Sequence, residues 1–299
     1  MLPNLQIRSS GRQGPVYGHL SVLGICPRVR RQTQNSIFCA IFITSLASVG
    51  YGAQTELRNS ELMVRINARD GSYSISTKDP ASPLVRAGVS AEFDHHWIKS
   101  AEFPKHEITE SNFEDTLGRG RQATVRASGV ANEPDLTYTI RLYELHPFGE
   151  IQVQIQNHSA RAVEVQSIRS LEAEGNRILD LHAVPSADRV LSDSYSEDWP
   201  PLGIYDLGKA PNGMHRAVGS QLVYNQQSKE SAFFAALTSD RLLTILHLRT
   251  QPTATGPTIV GFSVDSTGTT EIQATEEESG MREGPRENLI ELSLPHPRF

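Results

Sequence analysis

The chain has 299 residues, with 28 Lys and Arg against 34 Asp and Glu, 22 Gly, 17 Pro and 2 Cys. Hydrophobic residues at 38% and charged residues at 21% are those of an ordinary folded protein, which excludes global disorder and a multi-span membrane protein. Residues 1–53 contain five Arg and no Lys, Asp or Glu, so +5 there leaves −11 for the other 246 residues. A body that acidic lacks the clustered cations that phosphate binding needs, and nucleic acid is excluded as a partner.

The N-terminal region reads as a leader. Arg28, Arg30 and Arg31 precede an apolar run over 37–49, which is followed by Gly50-Tyr-Gly-Ala53. Basic, then apolar, then small is the order of a secretory signal peptide, and the run is shorter than the roughly 20 residues of a spanning helix. A cut after Gly50 or Gly52 places small residues at both −3 and −1, whereas a cut after Ala53 places Tyr51 at −3. Residues 1–28 are long and lack apolar periodicity, which suggests translation from near Val29 and a signal over 29–53. The division is therefore a leader over 1–53 and a body over 54–299, exported to the periplasm or beyond, with no membrane attachment after cleavage. The alternative is an uncleaved N-terminal anchor. Cys26 and Cys39 both lie in the leader, so the body has no thiol, disulfide or Cys-based metal site.

From residue 61 onward the dominant signal is period-2 alternation. Residues 61–67 and 72–77 form a predicted hairpin closed by Asp70-Gly71. Strands are predicted over 122–127, 136–143 and 150–156, then a turn at 157–160 and a returning strand over 162–168. Further strands fall at 220–224, 232–237, 242–248, 258–262, 269–273 and 289–294, with turn residues at 266–268, 279–280 and 284–285. No stretch of 12 or more residues shows a capped helical stripe. The sequence therefore predicts an all-β fold, a large antiparallel supersandwich of two packed sheets. A (β/α)₈ barrel and a Rossmann fold both fail for want of helices, and no fixed-period repeat points to a propeller.

Candidate chemistry is thin. Asp94-His95-His96-Trp97 sets ligand-type residues in a row, but neighbouring strand residues face opposite ways, so both histidines reach one metal only if the chain turns there. No metal and no cofactor is assigned. Asp193, Glu197 and Asp198, with Trp199, form the densest polar-aromatic segment: carboxylates for sugar hydroxyls and an indole face for a sugar ring. A solvated loop is the plainer reading of the same residues. No G-x-S-x-G elbow is present, and carboxylate pairs alone are no evidence of a glycosidase in a chain with 34 acids. The histidines at 95, 96, 106, 146, 158, 182, 215 and 247 are scattered, which weighs against an independent sugar epimerase or lyase.

From about Glu61 onward the chain resembles the N-terminal β-sandwich of α-galactosidases of glycoside hydrolase family 36. The match rests on 190–200, on 219–228 running into 231–247, and on 264–272, which looks like a late hairpin. The resemblance implies a supersandwich that precedes a (β/α)₈ barrel carrying two catalytic aspartates. No barrel follows here, so no catalytic residue is carried over and the chain alone is expected to be inactive. It also lacks the early Gly-Asp-Phe-Arg-type segment of some members. The expected function is a non-catalytic, carbohydrate-associated sandwich of a truncated or split enzyme. Its implied partners are α-galactosides or other carbohydrate, a separately encoded barrel, and further copies of itself. The alternative is a free-standing periplasmic carbohydrate-binding or structural module. An apolar patch around 200–205 is expected where a barrel would sit.

Overall fold

Alternation sorts each strand into an inner and an outer face. Leu136, Tyr138, Ile140 and Leu142 are buried, while Thr137, Thr139 and Arg141 between them face away from the core. The computed structural model describes residues 16–25, 54–77, 83–158, 161–192, 203–209, 213–237, 242–254 and 256–272. Along them run β1 (Val16–Ile25), β2 (Gln54–Arg58), β3 (Met63–Asn67), β4 (Tyr73–Ser76), β5 (Val85–Phe93) and β6 (His96–Lys99). Next come β7 (Lys105–Asp115), β8 (Gly118–Ser128), β9 (Asp135–Tyr143), β10 (Phe148–Gln156), β11 (Val163–Glu174) and β12 (Asp188–Ser192). The last six are β13 (Gly203–Asp206), β14 (Met214–Val218), β15 (Ser220–Asn225), β16 (Ser231–Ala236), β17 (Leu243–Thr253) and β18 (Gly256–Ile272). Among the described residues no helix is long and apolar enough to cross a membrane.

These strands form two antiparallel sheets, as the alternation predicts. The first runs β13-β12-β15-β16-β1-β10-β9-β8-β7. The second runs β14-β17-β18-β11-β5-β4-β3-β2, with β6 also paired to β5. The core fills the space between them. Phe234 of the first sheet meets Phe262 of the second with ring centroids 4.4 Å apart. The Tyr138 hydroxyl of the first sheet donates to the Gly71 carbonyl in the β3–β4 turn of the second, at 2.6 Å. That turn is the predicted hairpin, with Gly71 at φ 62°. A side chain there would meet both the left-handed backbone penalty and the His106 ring, 2.8 Å from where Cβ would lie.

Two differences from the sequence reading have physical causes. The 150–156 strand and its successor do not form a hairpin: β10 lies in the first sheet and β11 in the second, so the chain passes from one sheet to the other between them. Residues 266–268 are not a turn. β18 runs through them without a break, and the register against β11 slips by one residue between Thr267 and Thr270. Gly268, at φ 156°, sits in that bulge. Within the predicted leader, Val16–Ile25 forms β1 between β10 and β16. The apolar run over 37–49 lies outside the described residues, as does 289–294.

Candidate functional site

Asp193, Glu197, Asp198 and Trp199 lie outside the described residues. The strands that flank them, β12 and β13, pair as far as Ser192 opposite Gly203. At Asp94 and His95 the chain does turn. Their φ values of 47° and 66° make the two-residue loop that joins β5 to β6 in the geometry natural to a tight hairpin. Asp94 is held there by Arg161 and by the Glu164 backbone N–H at 2.9 Å. Among the described residues no three His, Cys, Asp or Glu side chains gather as metal ligands.

The outer face of the second sheet gathers a different set. On β17, Leu246 and Leu248 belong to the core, so His247 and Arg249 point the other way. On β18, Phe262 and Val264 are core residues, which turns Gly261, Ser263 and Asp265 outward. Register then lines these residues up in rows across the sheet. Lys99, Ser90, Arg169, Asp265 and Ile245 face one another in sequence across β6, β5, β11, β18 and β17. One step along, Glu172, Ser263, His247 and Arg216 form a second row. Glu174, Gly261, Arg249 and Met214 form a third. Arg169 and Glu172 are three residues apart yet share this face because the β11 register shifts between them.

Arg169 is the hub. Its guanidinium carbon lies 3.8 Å from the centroid of the Trp97 ring, a stacked cation–π arrangement. Its Nε donates to Asp265 Oδ1 at 3.0 Å and its Nη1 to Glu172 Oε1 at 3.0 Å. Lys99 Nζ approaches the same Glu172 oxygen at 3.3 Å. Burial works against the Glu172 charge, but the Ser90 hydroxyl, Lys99 and Arg169 outweigh it and hold the carboxyl below the usual carboxylate range. His247 Nε2 lies 3.8 Å from Asp265 Oδ2. Burial pulls the imidazole pKa below its ordinary value, Arg216 and Arg169 add to that, and Asp265 only partly opposes them. The Arg216 Nε is buried with no hydrogen-bond partner among the described residues. Gly261 leaves room for Arg249, whose Nε would be 3.0 Å from a Cβ there.

The result is a cleft of about 260 Å³ whose lining includes Arg169, Glu172, His247 and Asp265. It presents fixed donors, fixed acceptors and one imidazole, side by side and partly desolvated. Such an array suits a hydroxyl-rich ligand, in which each OH both donates and accepts. A convergent His/Glu/Arg group is what the scattered histidines of the sequence argued against. Folding assembles one around His247 from four non-adjacent stretches, 169–174, 214–216, 247–249 and 261–265. The signal for it was present in the outward positions of alternating strands, but only strand order and register reveal that those positions meet.

A second polar cluster is structural. Asn225 is buried. Its Nδ2 donates to Asp188 Oδ1 at 2.6 Å, and its Oδ1 accepts the N–H groups of Gln227 and Ser228 at 2.8 and 3.0 Å. It thereby fixes the β15–β16 turn.

The outer face of the first sheet is of another kind. Ile204, Leu191, Leu222 and Phe233 lie opposite one another across β13, β12, β15 and β16. They form an outward apolar row in which Ile204 is 63% and Phe233 38% exposed. Comparison with protein-family models and with curated proteins gives no match to the sequence.

Proposed function

We propose that the chain is a carbohydrate-binding β-sandwich of the kind that accompanies α-galactosidase-type glycoside hydrolases, and that the outer-face cleft of the second sheet holds the sugar. The observation that carries this reading is the Arg169–Trp97–Glu172–Asp265–His247 cluster. There Lys99, Arg169, Arg216 and Arg249 are set against Glu172, Glu174 and Asp265. That near-balance favours a neutral ligand with many hydroxyls over a phosphate or a polyanion. The resemblance to family 36 sandwiches supports the choice of galactosides as the first ligands to test.

The test is calorimetry of methyl α-galactoside with the full chain, alongside a chromogenic α-galactoside assay. Binding without turnover is expected. Asp265→Asn and His247→Ala should each weaken binding about tenfold, or about 1.4 kcal/mol. Trp199→Ala, by contrast, reports on the Asp193–Trp199 segment, where loss of a stacked ring would weaken binding by about 1–3 kcal/mol. No binding at all, or affinity that ignores both cleft substitutions, overturns the assignment of the cleft.

A second reading, a scaffold that docks a catalytic partner or a further copy of itself, draws on the outward apolar row from Ile204 to Phe233. Contiguous exposed apolar surface of this kind marks association sites.

A further inference from the structure

We infer that the gap between β10 and β16 is an acceptor for one added strand, and that Val16–Ile25 is the donor that fills it in the folded chain. β1 runs antiparallel to both neighbours, pairing with β10 from Val16 opposite Ile155 to Gly24 opposite Phe148, and with β16 from Ser21 opposite Ala236 to Ile25 opposite Ala232. Among the described residues nothing else joins those two strands. Without β1 the first sheet falls into β13-β12-β15-β16 and β10-β9-β8-β7.

Such a gap cannot stay empty at little cost. Ile151, Val153 and Ile155 on one side and Ala232 and Phe234 on the other are all at most 3% exposed, so an open slot would admit water to the core. It would also strand two rows of backbone N–H and C=O groups in the middle of a sheet. The donor is remote in sequence: more than a hundred residues separate β1 from β10, and about two hundred separate it from β16. It is thus held by ladder pairing on both sides and not by a hairpin connection, which is the geometry by which an extended peptide completes a sheet. The basic-apolar segment over 28–49 lies between β1 and β2. A cut at 50–53 would therefore take the donor away with the leader and leave the slot open to another extended strand.

The test severs the covalent link and keeps the fold. A site-specific protease sequence is inserted between Arg30 and Arg31 of the full chain, which is then nicked under native conditions. The N-terminal fragment should stay with the body in a one-to-one complex by native mass spectrometry, leaving only in denaturant. Its removal should speed amide exchange at least tenfold in 148–156 and 231–236, and a synthetic peptide of residues 16–25 should restore protection where a scrambled peptide does not. A fragment that departs freely while those amides stay protected overturns the inference. A second variant needs no nick. Every N–H of a strand paired on both sides is in a ladder, so Val22→Pro in the uncut chain should speed exchange in β10 and β16 while β17 and β18 stay protected. Exchange equal to that of the unaltered chain would be fatal to the idea.

Discussion

Asp188 carries a carboxyl group where its charge is disfavoured. It is 6% exposed, and burial raises its pKa from 3.8 to about 6, the hydrogen bond from Asn225 and the nearby Arg177 and Arg189 offsetting only part of the effect. A carboxyl whose folded pKa lies above its unfolded value holds its proton more tightly in the folded chain. Its favourable contribution is therefore complete below the ordinary value and is lost as pH rises through about 4 to 6. The displacement corresponds to about 3 kcal/mol above that window. Asparagine keeps the acceptor that Asn225 needs and never ionises. Asp188→Asn should match the unaltered chain near pH 3.5 and exceed it in stability by about 1–3 kcal/mol at pH 8, measured by urea unfolding across the range. A variant less stable than the parent at pH 8 would mean that the charged form has partners that outweigh its burial. His247 is displaced by burial as well, but downward, because the charged form of an imidazole is the protonated one.

At the scale of the strand, period 2 makes neighbours behave differently. Phe234 is fully buried against Phe262, whereas Phe233 is 38% exposed on the opposite face. Phe234→Ala should cost about 3–5 kcal/mol, the range for deleting a buried aromatic ring. Phe233→Lys should fall within about 0.5 kcal/mol of neutral, while lowering any self-association seen by sedimentation. Equal losses at the two positions would mean that the register of β16 is wrong. The same alternation is why so many strands were legible in the sequence: β8, β9, β10 and β15 each bury every second residue over most of their length. It is also why others were not. β7 sits at the edge of its sheet and is exposed or half-buried throughout, so its Lys105–Asp115 sequence has no apolar period to read. In β5, Ala87, Val89, Ala91 and Phe93 are buried, but so is Ser90, and Ala and Gly blur the contrast between faces. Gly268 looked like a turn because glycine marks turns and bulges alike, and only pairing on both sides of β18 separates the two. The cleft was illegible for a different reason. Arg169, His247 and Asp265 each occupy an ordinary outward position, and their meeting is set by the order β17-β18-β11, which no local pattern encodes.

The molecule as a whole is two sheets tied together at separate points, and the candidate cleft and the outward apolar row sit on the faces turned away from that union. One tie is Phe234 against Phe262. Another is Tyr138, buried in the first sheet, whose hydroxyl reaches Gly71 in the second, while Tyr73 beside it donates to the Ser170 carbonyl at 2.9 Å. Tyr138→Phe leaves the Gly71 carbonyl without that donor and should cost about 1–3 kcal/mol. Tyr138 and Phe234 lie on β9 and β16, three strand spacings apart in the first sheet, about 14 Å, which is far enough for independent effects. If the sandwich unfolds as one unit, Tyr138→Phe and Phe234→Ala together should sum to within about 0.5 kcal/mol, with a single transition and an unchanged denaturant slope. Within the first sheet, β1 is the only described strand joining the half-sheet bearing Phe234 to the half-sheet bearing Tyr138. Disrupting β1 should therefore convert the single transition into two, with near-ultraviolet circular dichroism and amide exchange in β9 and β16 no longer changing together. One shared transition in the disrupted chain would show instead that packing against the second sheet, and not the continuity of the first, makes the molecule cooperative.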